Sequence, residues 1–401
     1  MLPLKGIRVL DLSRVLAGPF CSMLLGDMGA EIIKIEDTIK GDETRLWGPP
    51  FAEENSLYFW SVNRNKSSVA VNFKNNDGKK VIEDLIPKCD VLIENFLPGT
   101  LKKYNLDYNS VKNLNSNLVY CSITGFGQKG PMAHRPGYDV VVAGAGGLLN
   151  ITGPENGPPC RVGVAVTDLM TGMVSLTSIL SGLISRVKNG GCHLDCNLLS
   201  TQISMLFHIG ANYLTDNVES SRIGTSHSTL VPYRAYLTSD HRYFIIGAGN
   251  DKQFKELCVT VQMPEIANDE RFLTNPKRVN NRKELDKILE KVFANDTLKY
   301  WVKLFQKSSL PNGPVNNLKD VFNNEQVQFL SDTLINSWEI PNGQVSVPGF
   351  PFKSSSWNIS EKPSKPPKHG EHTRQILDSL LNYNSERIED LLKSGAVFCI
   401  N

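Results

Sequence analysis

The chain has 401 residues, 40% of them hydrophobic and 21% charged, with a formal net charge of +2. That length corresponds to about two to three domains. The near balance of charge leaves no electrostatic footprint for nucleic acid or a membrane surface, so neither is expected as a partner. Eight cysteines are scattered along the chain without a C-x-x-C, which reads as a reduced intracellular protein and not a disulfide framework. No apolar run approaches the ~18 residues a membrane helix needs.

Met1-Leu-Pro-Leu-Lys-Gly passes straight into an apolar run at Ile7–Leu12, so no signal or transit peptide is read here. That run is a buried strand, followed by the loop Ser13–Pro19, a helix over Phe20–Met28 stopped at Gly29, and a strand over Glu31–Ile35. Strand patterns recur at Val69–Phe73, Val91–Glu94, Leu118–Ser122 and Cys192–Asn197. Between them lie helices over Asn76–Leu85 and within Val164–Val187, and another follows at Leu198–Tyr213. This alternation predicts an α/β domain with a mostly parallel sheet, whose ligands bind at the carboxyl ends of the strands. From about residue 225 the pattern changes to a hairpin, Tyr233–Leu237 with Tyr243–Gly247, then helices over Lys252–Val261, Asn281–Phe293 and Thr297–Lys307. A smaller α+β domain over 225–325 follows from that pattern. The stretch 361–368 reads as an extended surface crossing, and helical patterns at His372–Leu381 and Ser385–Leu392 end the chain.

Several chemistries fail on the residues. The first loop, S-R-V-L-A-G-P, lacks the G-x-G-x-x-G that cradles a pyrophosphate, although Glu36 stands where a dinucleotide fold often places its ribose acid. Cys192 and Cys196 share one strand face while His193 points the other way, and no second ligand pair has zinc spacing, so no metal site is expected. There is no G-x-S-x-G elbow. His227 sits in a loop of small residues and is expected to be a structural hydrogen-bonding residue.

Asp168, in Val164-Ala-Val-Thr-Asp-Leu-Met-Thr-Gly172, follows an apolar run and opens a helix. It is either an N-cap or a carboxylate oriented at a helix N-terminus to attack an acyl group. Gly247-Ala248-Gly249-Asn250 follows a strand, as either a tight strand-to-helix turn or a flexible lid over a reactive acyl group.

Taken in order, L-D-L-S-R-V-L-A-G-P (10–19), G-D-M-G-A-E-I-I-K-I-E (26–36), N-R-N-K-S-S-V-A-V-N (63–72), E-N-F-L-P-G (94–99), S-I-T-G-F-G-Q-K-G-P (122–131), R-P-G-Y-D (135–139), T-D-L-M-T-G (167–172) and G-E-H-T (370–373) resemble the class III (CaiB/BaiF) CoA-transferases over essentially the whole chain. W-G-P-P-F (47–51), I-T-G-P-E-N-G (151–157) and G-T-S-H-S (224–228) resemble the branch that moves CoA from succinyl-CoA to glutarate or a 3-hydroxy-3-methylglutarate-like acid.

The resemblance implies an interlocked, ring-shaped homodimer. Each subunit would have a Rossmann-like large domain (1–200 and 350–401), a small domain (225–325) and linkers at 201–224 and 326–349. It implies Asp168 as nucleophile, forming an aspartyl anhydride and then an aspartyl-CoA thioester, with 247–250 as the lid. CoA thioesters are substrates, and no tightly bound cofactor is expected. Val15, Ala17, Asn95, Phe96, Lys103, Arg135 and Tyr138 match CoA-contacting positions. Many members carry E-R-P-G where this chain has Glu36-Asp37-Thr38-Ile39, so a usual CoA-contacting arginine is missing and Lys40 or Arg45 is its expected substitute. A distal substrate carboxylate calls for a cation, for which Arg64 and Arg278 are the expected residues. The branch resembled works in the mitochondrial matrix; otherwise the cytoplasm is expected. An α-methylacyl-CoA racemase of the same fold is the rival reading, but such enzymes carry G-H-D where this chain has Gly137-Tyr138-Asp139. A non-catalytic CoA-binding homodimer is a further alternative, and retention of Asp168 and the glycine loop argues against it.

Overall fold

The apolar runs become the centre of a parallel sheet. The computed structural model describes residues 1–351, 353–357 and 363–400, and the chain divides into two compact units. The first comprises Met1–Leu148, Val162–Asn217 and the chain from Phe329 onward; the second comprises Leu149–Arg161 and Val218–Gln328.

In the first unit β1 (Arg8–Asp11), α1 (Ala17–Asp27), β2 (Glu31–Glu36), β3 (Lys66–Val71), α2 (Asn76–Leu85), β4 (Val91–Glu94) and β5 (Val119–Thr124) come in chain order. They are followed by α3 (Asp139–Ala145), α4 (Val166–Asn189), β6 (Cys192–Asn197) and α5 (Leu198–Met205). The sheet order is β3-β2-β1-β4-β5-β6, all parallel, with Val397–Phe398 added antiparallel at the β3 edge. This doubly wound order reverses between β1 and β4, and the crevice beyond the carboxyl ends of those strands is where such sheets bind ligands. One apolar cluster, including Val9, Cys21, Leu25, Ile93 and Ile179, packs on one face. A second, including Leu10, Ile33, Val81, Leu92 and Leu377, packs on the other. Strands covered on both faces read as continuous apolar runs, which is why the sequence pattern located them.

Helix α4 packs on α1, β5 and β6. A Cβ at Gly172 would lie 2.8 Å from the Ala17 carbonyl oxygen, so glycine permits this close helix crossing. By length and mean hydropathy (1.3), α4 is also the one described helix able to cross a membrane. Counting uninterrupted apolar runs misses it, because threonines and serines break the run. Its Thr171, Ser175, Leu176 and Ile179 are buried within the chain.

In the second unit Asn312–Pro314, Tyr243–Gly247 and Tyr233–Leu237 form an antiparallel sheet in that order. It encloses a core of Phe244, Phe254, Phe272, Phe293, Trp301 and Phe305. One expected boundary differs from the structure. Residues 149–161, assigned to the large domain by their place in the chain, belong to this unit. The first expected linker carries the helix read over Leu198–Tyr213, here as Leu198–Met205 and Phe207–Asp216, and the second contains a hairpin not read from the sequence, Ile335–Ile340 with Gly343–Pro348. That hairpin is anchored by Trp338, whose ring lies 5.9 Å from that of Trp60. Of the expected crossing 361–368, residues 361 and 362 lie outside the described residues; Ser364 and Pro367 bond to Asn65 and Arg45.

Candidate active site

The loop after β1 is held from beneath by two buried lysines. Asp11, at the end of β1, accepts hydrogen bonds from Ser13 N (2.9 Å) and Lys66 Nζ (3.1 Å), and Lys66 also donates to the Pro19 carbonyl (2.9 Å). Lys34 Nζ donates to the Ser13 carbonyl (3.0 Å) and to Asp42 (2.9 Å). Burial works against every charge in this set. It depresses the Lys66 ammonium to about 8 despite Asp11. Asp42 nonetheless falls to about 2, because Lys34 and the Thr44 donors outweigh its burial. So anchored, the loop puts Val15 at φ 72°, a strained conformation for a β-branched residue. Asn95, just beyond β4, locks the same turn by accepting from Arg14 N (2.9 Å) and donating to the Arg14 carbonyl (2.6 Å).

A second pair of loops closes the opposite wall. Gly125, after β5, and Gly137 approach so closely that a Cβ on Gly125 would lie 2.8 Å from the Gly137 Cα. Glycine at both positions lets Ile123–Gly125 and Pro136–Tyr138 share one side of a cavity of about 420 Å³. Arg14–Ala17, Glu43, Asn95–Leu97, Thr100, Leu198 and Asp168 complete its lining. The cavity thus lies where the strand order reverses.

Asp168 is the third residue of α4, not its cap; the cap position is Ala165, which makes no side-chain bond. Capping is supplied from α3. Asp139 Oδ1 accepts the N–H groups of Thr167 (2.8 Å) and Asp168 (3.2 Å). Asp168 is 9% exposed, and its carboxylate has no hydrogen bond or ion pair among the described residues. Burial, reinforced by the neighbouring Asp139 charge, pushes it from 3.8 to about 7. The result is a basic carboxylate beside a cavity, suited to attack an acyl carbon and relieved of its buried charge when it does so.

Val15, Ala17, Asn95, Phe96 and Tyr138 line this cavity with Asp168. Lys103 and Arg135 are exposed outside the lining, Lys103 in the turn that begins directly after Thr100. The expectations for three arginines require correction. Arg64 is 1% exposed, and its Nε (2.8 Å) and Nη2 (2.5 Å) bind Asp27. Arg278 is 0% exposed; its Nε and Nη1 donate to the Val231 and Phe272 carbonyls, and its Nη2 lies 2.8 Å from Asp251 as an ion pair without hydrogen-bond geometry. Arg45 pairs with Glu36 at 2.6 Å beneath the surface. Each answers a buried acid or a carbonyl, as a guanidinium removed from water must, so none of the three is free for a substrate.

The 247–250 segment, on the second unit, takes the form of a strand-to-helix turn. Gly247 N and Ala248 N donate to the Pro311 and Pro232 carbonyls, and Gly249 N donates to Gln253. Asn250 caps the helix Asp251–Thr260. These amides are committed, so the expected lid role finds no free donors in this conformation. His227 Nδ1 accepts from Thr229 N and Leu230 N, as a structural residue. Among the described residues no group of acidic, histidine and cysteine side chains could hold a metal. Sequence reasoning missed Arg14, Glu43 and Thr100, and gave Asp139 no part in the site. Arg14 lay inside a motif already singled out, but one-dimensional spacing gave no sign that its side chain borders the Asp168 cavity.

The structure thus sets a basic, buried carboxylate at the strand-switch cavity of a doubly wound α/β sheet, where such folds bind ligands. The chain belongs to CoA-transferase family III, whose model matches residues 4–373, and is an enzyme of the CoA-transferase class. It is 48% identical over 400 residues to the succinyl-CoA:glutarate CoA-transferase of Mus musculus, covering 99% of this chain and 91% of that one. It is 40% identical to the succinate–glutarate CoA-transferase of Agrobacterium fabrum, over 94% of this chain and 96% of that one. The crystal structure of a CaiB/BaiF family protein from Brucella suis superposes with a TM-score of 0.83 at 39% identity, covering 94% of this chain and 99% of that one.

Proposed function

We propose that the chain moves CoA from succinyl-CoA to glutarate or a closely related dicarboxylate, with Asp168 as the covalent nucleophile. The observation that carries this reading is the unpaired, buried Asp168 carboxylate opening on the strand-switch cavity. The names of the mouse and Agrobacterium relatives supply the choice of acids.

Asp168 attacks the succinyl-CoA carbonyl, forming an anhydride and expelling the CoA thiolate. The thiolate attacks the aspartyl carbonyl, releasing succinate and leaving an aspartyl-CoA thioester. A glutarate carboxylate attacks that thioester and expels the thiolate again, which takes the glutaryl group and restores Asp168. Each step exchanges one acyl bond for another, so no proton need move and no ATP is required. Anhydride and thioester both discharge the buried carboxylate, so the desolvation that raises its pKa favours the covalent states. Water must be kept out, and the 247–250 turn would become a lid only by releasing its internal hydrogen bonds. CoA enters as a substrate, with Val15 and Ala17 nearest the thioester, Asn95 and Phe96 on the adenine side, and Lys103, Arg135 and Tyr138 beside them. Lys40, exposed on the turn after β2, remains as the substitute for the missing arginine.

A second copy of the chain completes the reading. Ile184 and Val187 on α4 are 79% and 86% exposed, and Phe207 and Leu214 on the helix Phe207–Asp216 are 81% and 84% exposed. Apolar side chains this open favour burial against a partner, in keeping with the homodimer that the resemblance implies. By that resemblance the enzyme works in the mitochondrial matrix. Mass spectrometry of the purified protein with succinyl-CoA and glutarate tests the activity. Glutaryl-CoA from the parent and none from Asp168→Asn is the expected result; turnover by that variant would remove the nucleophile. Sedimentation of the same protein as a monomer would remove the dimer.

A further inference from the structure

We infer that Arg14 is the residue that recognises the second carboxylate of the substrate. The inference rests on the dicarboxylate reading above and deepens it. Among the described residues Arg14 is the only cationic side chain lining the cavity that holds Asp168; the other charged groups there are Glu43 and Asp168 itself. Arg45, Arg64 and Arg278 direct their guanidinium donors at protein oxygens. Arg14 makes no side-chain hydrogen bond among the described residues; its acidic neighbour Glu43 stands 3.8 Å away, and its guanidinium lies 5.3 Å from the Phe96 ring centroid. Its side chain is 48% exposed. Five N–H donors in a rigid fork, on a residue that lines the cavity and held only by a long ion pair to Glu43 and the face of Phe96, are suited to bind a carboxylate through two parallel hydrogen bonds.

Its backbone explains why the fork is presented there. Asn95 holds Arg14 by both its N–H and its carbonyl, and the next residue is the left-handed Val15. The turn is therefore pre-organised, and little backbone ordering is needed when an acid binds. Glu43 sets the discrimination. An arriving carboxylate displaces a weak acidic neighbour, whereas a methyl-ended acid of the same length leaves that arrangement intact and gains nothing from Arg14.

The experiment compares glutarate with pentanoate, the monocarboxylate of equal chain length, as acceptors from succinyl-CoA. The parent, Arg14→Gln, Arg14→Lys and Glu43→Gln are assayed. Calorimetry of glutarate and of free CoA binding accompanies the rates. Arg14→Gln is expected to lower the glutarate-to-pentanoate ratio of kcat/KM about 10- to 100-fold, mainly through the KM for glutarate, with the Kd for CoA unchanged. Arg14→Lys recovers part of the ratio, and Glu43→Gln, which leaves Arg14 in place, lowers the KM for glutarate. An unchanged ratio in Arg14→Gln overturns the inference while leaving the transferase reading intact. So does a glutarate KM that holds while CoA binding weakens, since that places Arg14 on the nucleotide. A parent that prefers pentanoate overturns both. Should the parent transfer to neither acid, glutarate binding to the CoA-loaded protein still decides: loss in Arg14→Gln supports the inference, and equal binding overturns it.

Discussion

Asp139 Oδ1 accepts the backbone N–H of Asp168 at 3.2 Å, so one carboxylate caps the helix while its charge raises the pKa of the next. A single residue therefore both holds the backbone of Asp168 and adds to the burial that makes its carboxylate basic. An acid placed on a helix N-terminus is usually stabilised as the anion; here burial and Asp139 win, and Asp168 rises to about 7.

The rate should follow that ionisation. In the proposed mechanism Asp168 attacks only as the anion, so kcat/KM is expected to rise with pH and level off above about 7. Asp139→Asn keeps an oxygen for the two amides and removes the charge, so the inflection should move to lower pH. Arg14 and Glu43, which face the same cavity, remain in that variant. A pH–rate profile of both proteins checks this, and an unmoved inflection would count against the electrostatic role of Asp139.

Stability should run the other way. Between roughly pH 4 and 7 the folded chain keeps a proton on Asp168 that the unfolded chain has released, so stability falls as pH rises through that window. A rise from 3.8 to about 7 corresponds to roughly 4 kcal/mol at most. Asp168→Asn is therefore expected to melt higher than the parent at pH 8, with the gap shrinking toward pH 4. Thermal melts at the two pH values measure it.

Arg64→Ala is expected to destabilise the fold by roughly 3–5 kcal/mol, because Asp27 would be left charged and unpaired in the interior. Acceptor selectivity of the folded fraction should not change. Denaturant titration beside the acceptor assay separates the two effects. Arg278→Ala should behave alike, as its donors serve the Val231 and Phe272 carbonyls.

Gly172→Ala puts a methyl 2.8 Å from the Ala17 carbonyl oxygen and 2.9 Å from the Phe20 ring. Forcing α1 and α4 apart should cost about 1–3 kcal/mol. Both Ala17 and Asp168 border the cavity, so activity should fall as well; urea midpoints and turnover of the purified variant report each loss.

The local pattern of the chain was legible where strands are covered on both faces. Val91–Glu94 is buried throughout and carries the boundaries read from its apolar run, whereas the edge strand Cys192–Asn197 exposes His193 and Asp195 and was marked by the Gly190-Gly191 stop before it. The motif series identified the family, and Asp168 stood out as an acid between an apolar run and a helix of small residues. Its precise station did not: the pattern cannot say whether an acid caps its own helix or is capped by another, and here Asp139 does the capping from 29 residues away.

What the sequence by itself determined is the α/β alternation, the family and the candidate nucleophile, since these depend on periodicity and on motifs contiguous in the chain. Only the tertiary structure decided which charges are available to a substrate. Arg14, Arg64 and Arg278 are chemically identical in one dimension. Folding sets Arg64 against Asp27 and Arg278 against two carbonyls, because a buried guanidinium must be paired, and leaves Arg14 half-exposed at the strand-switch cavity with only a 3.8 Å ion pair to Glu43. The difference among them is one of solvation and partners, and those come into existence only when the chain is packed.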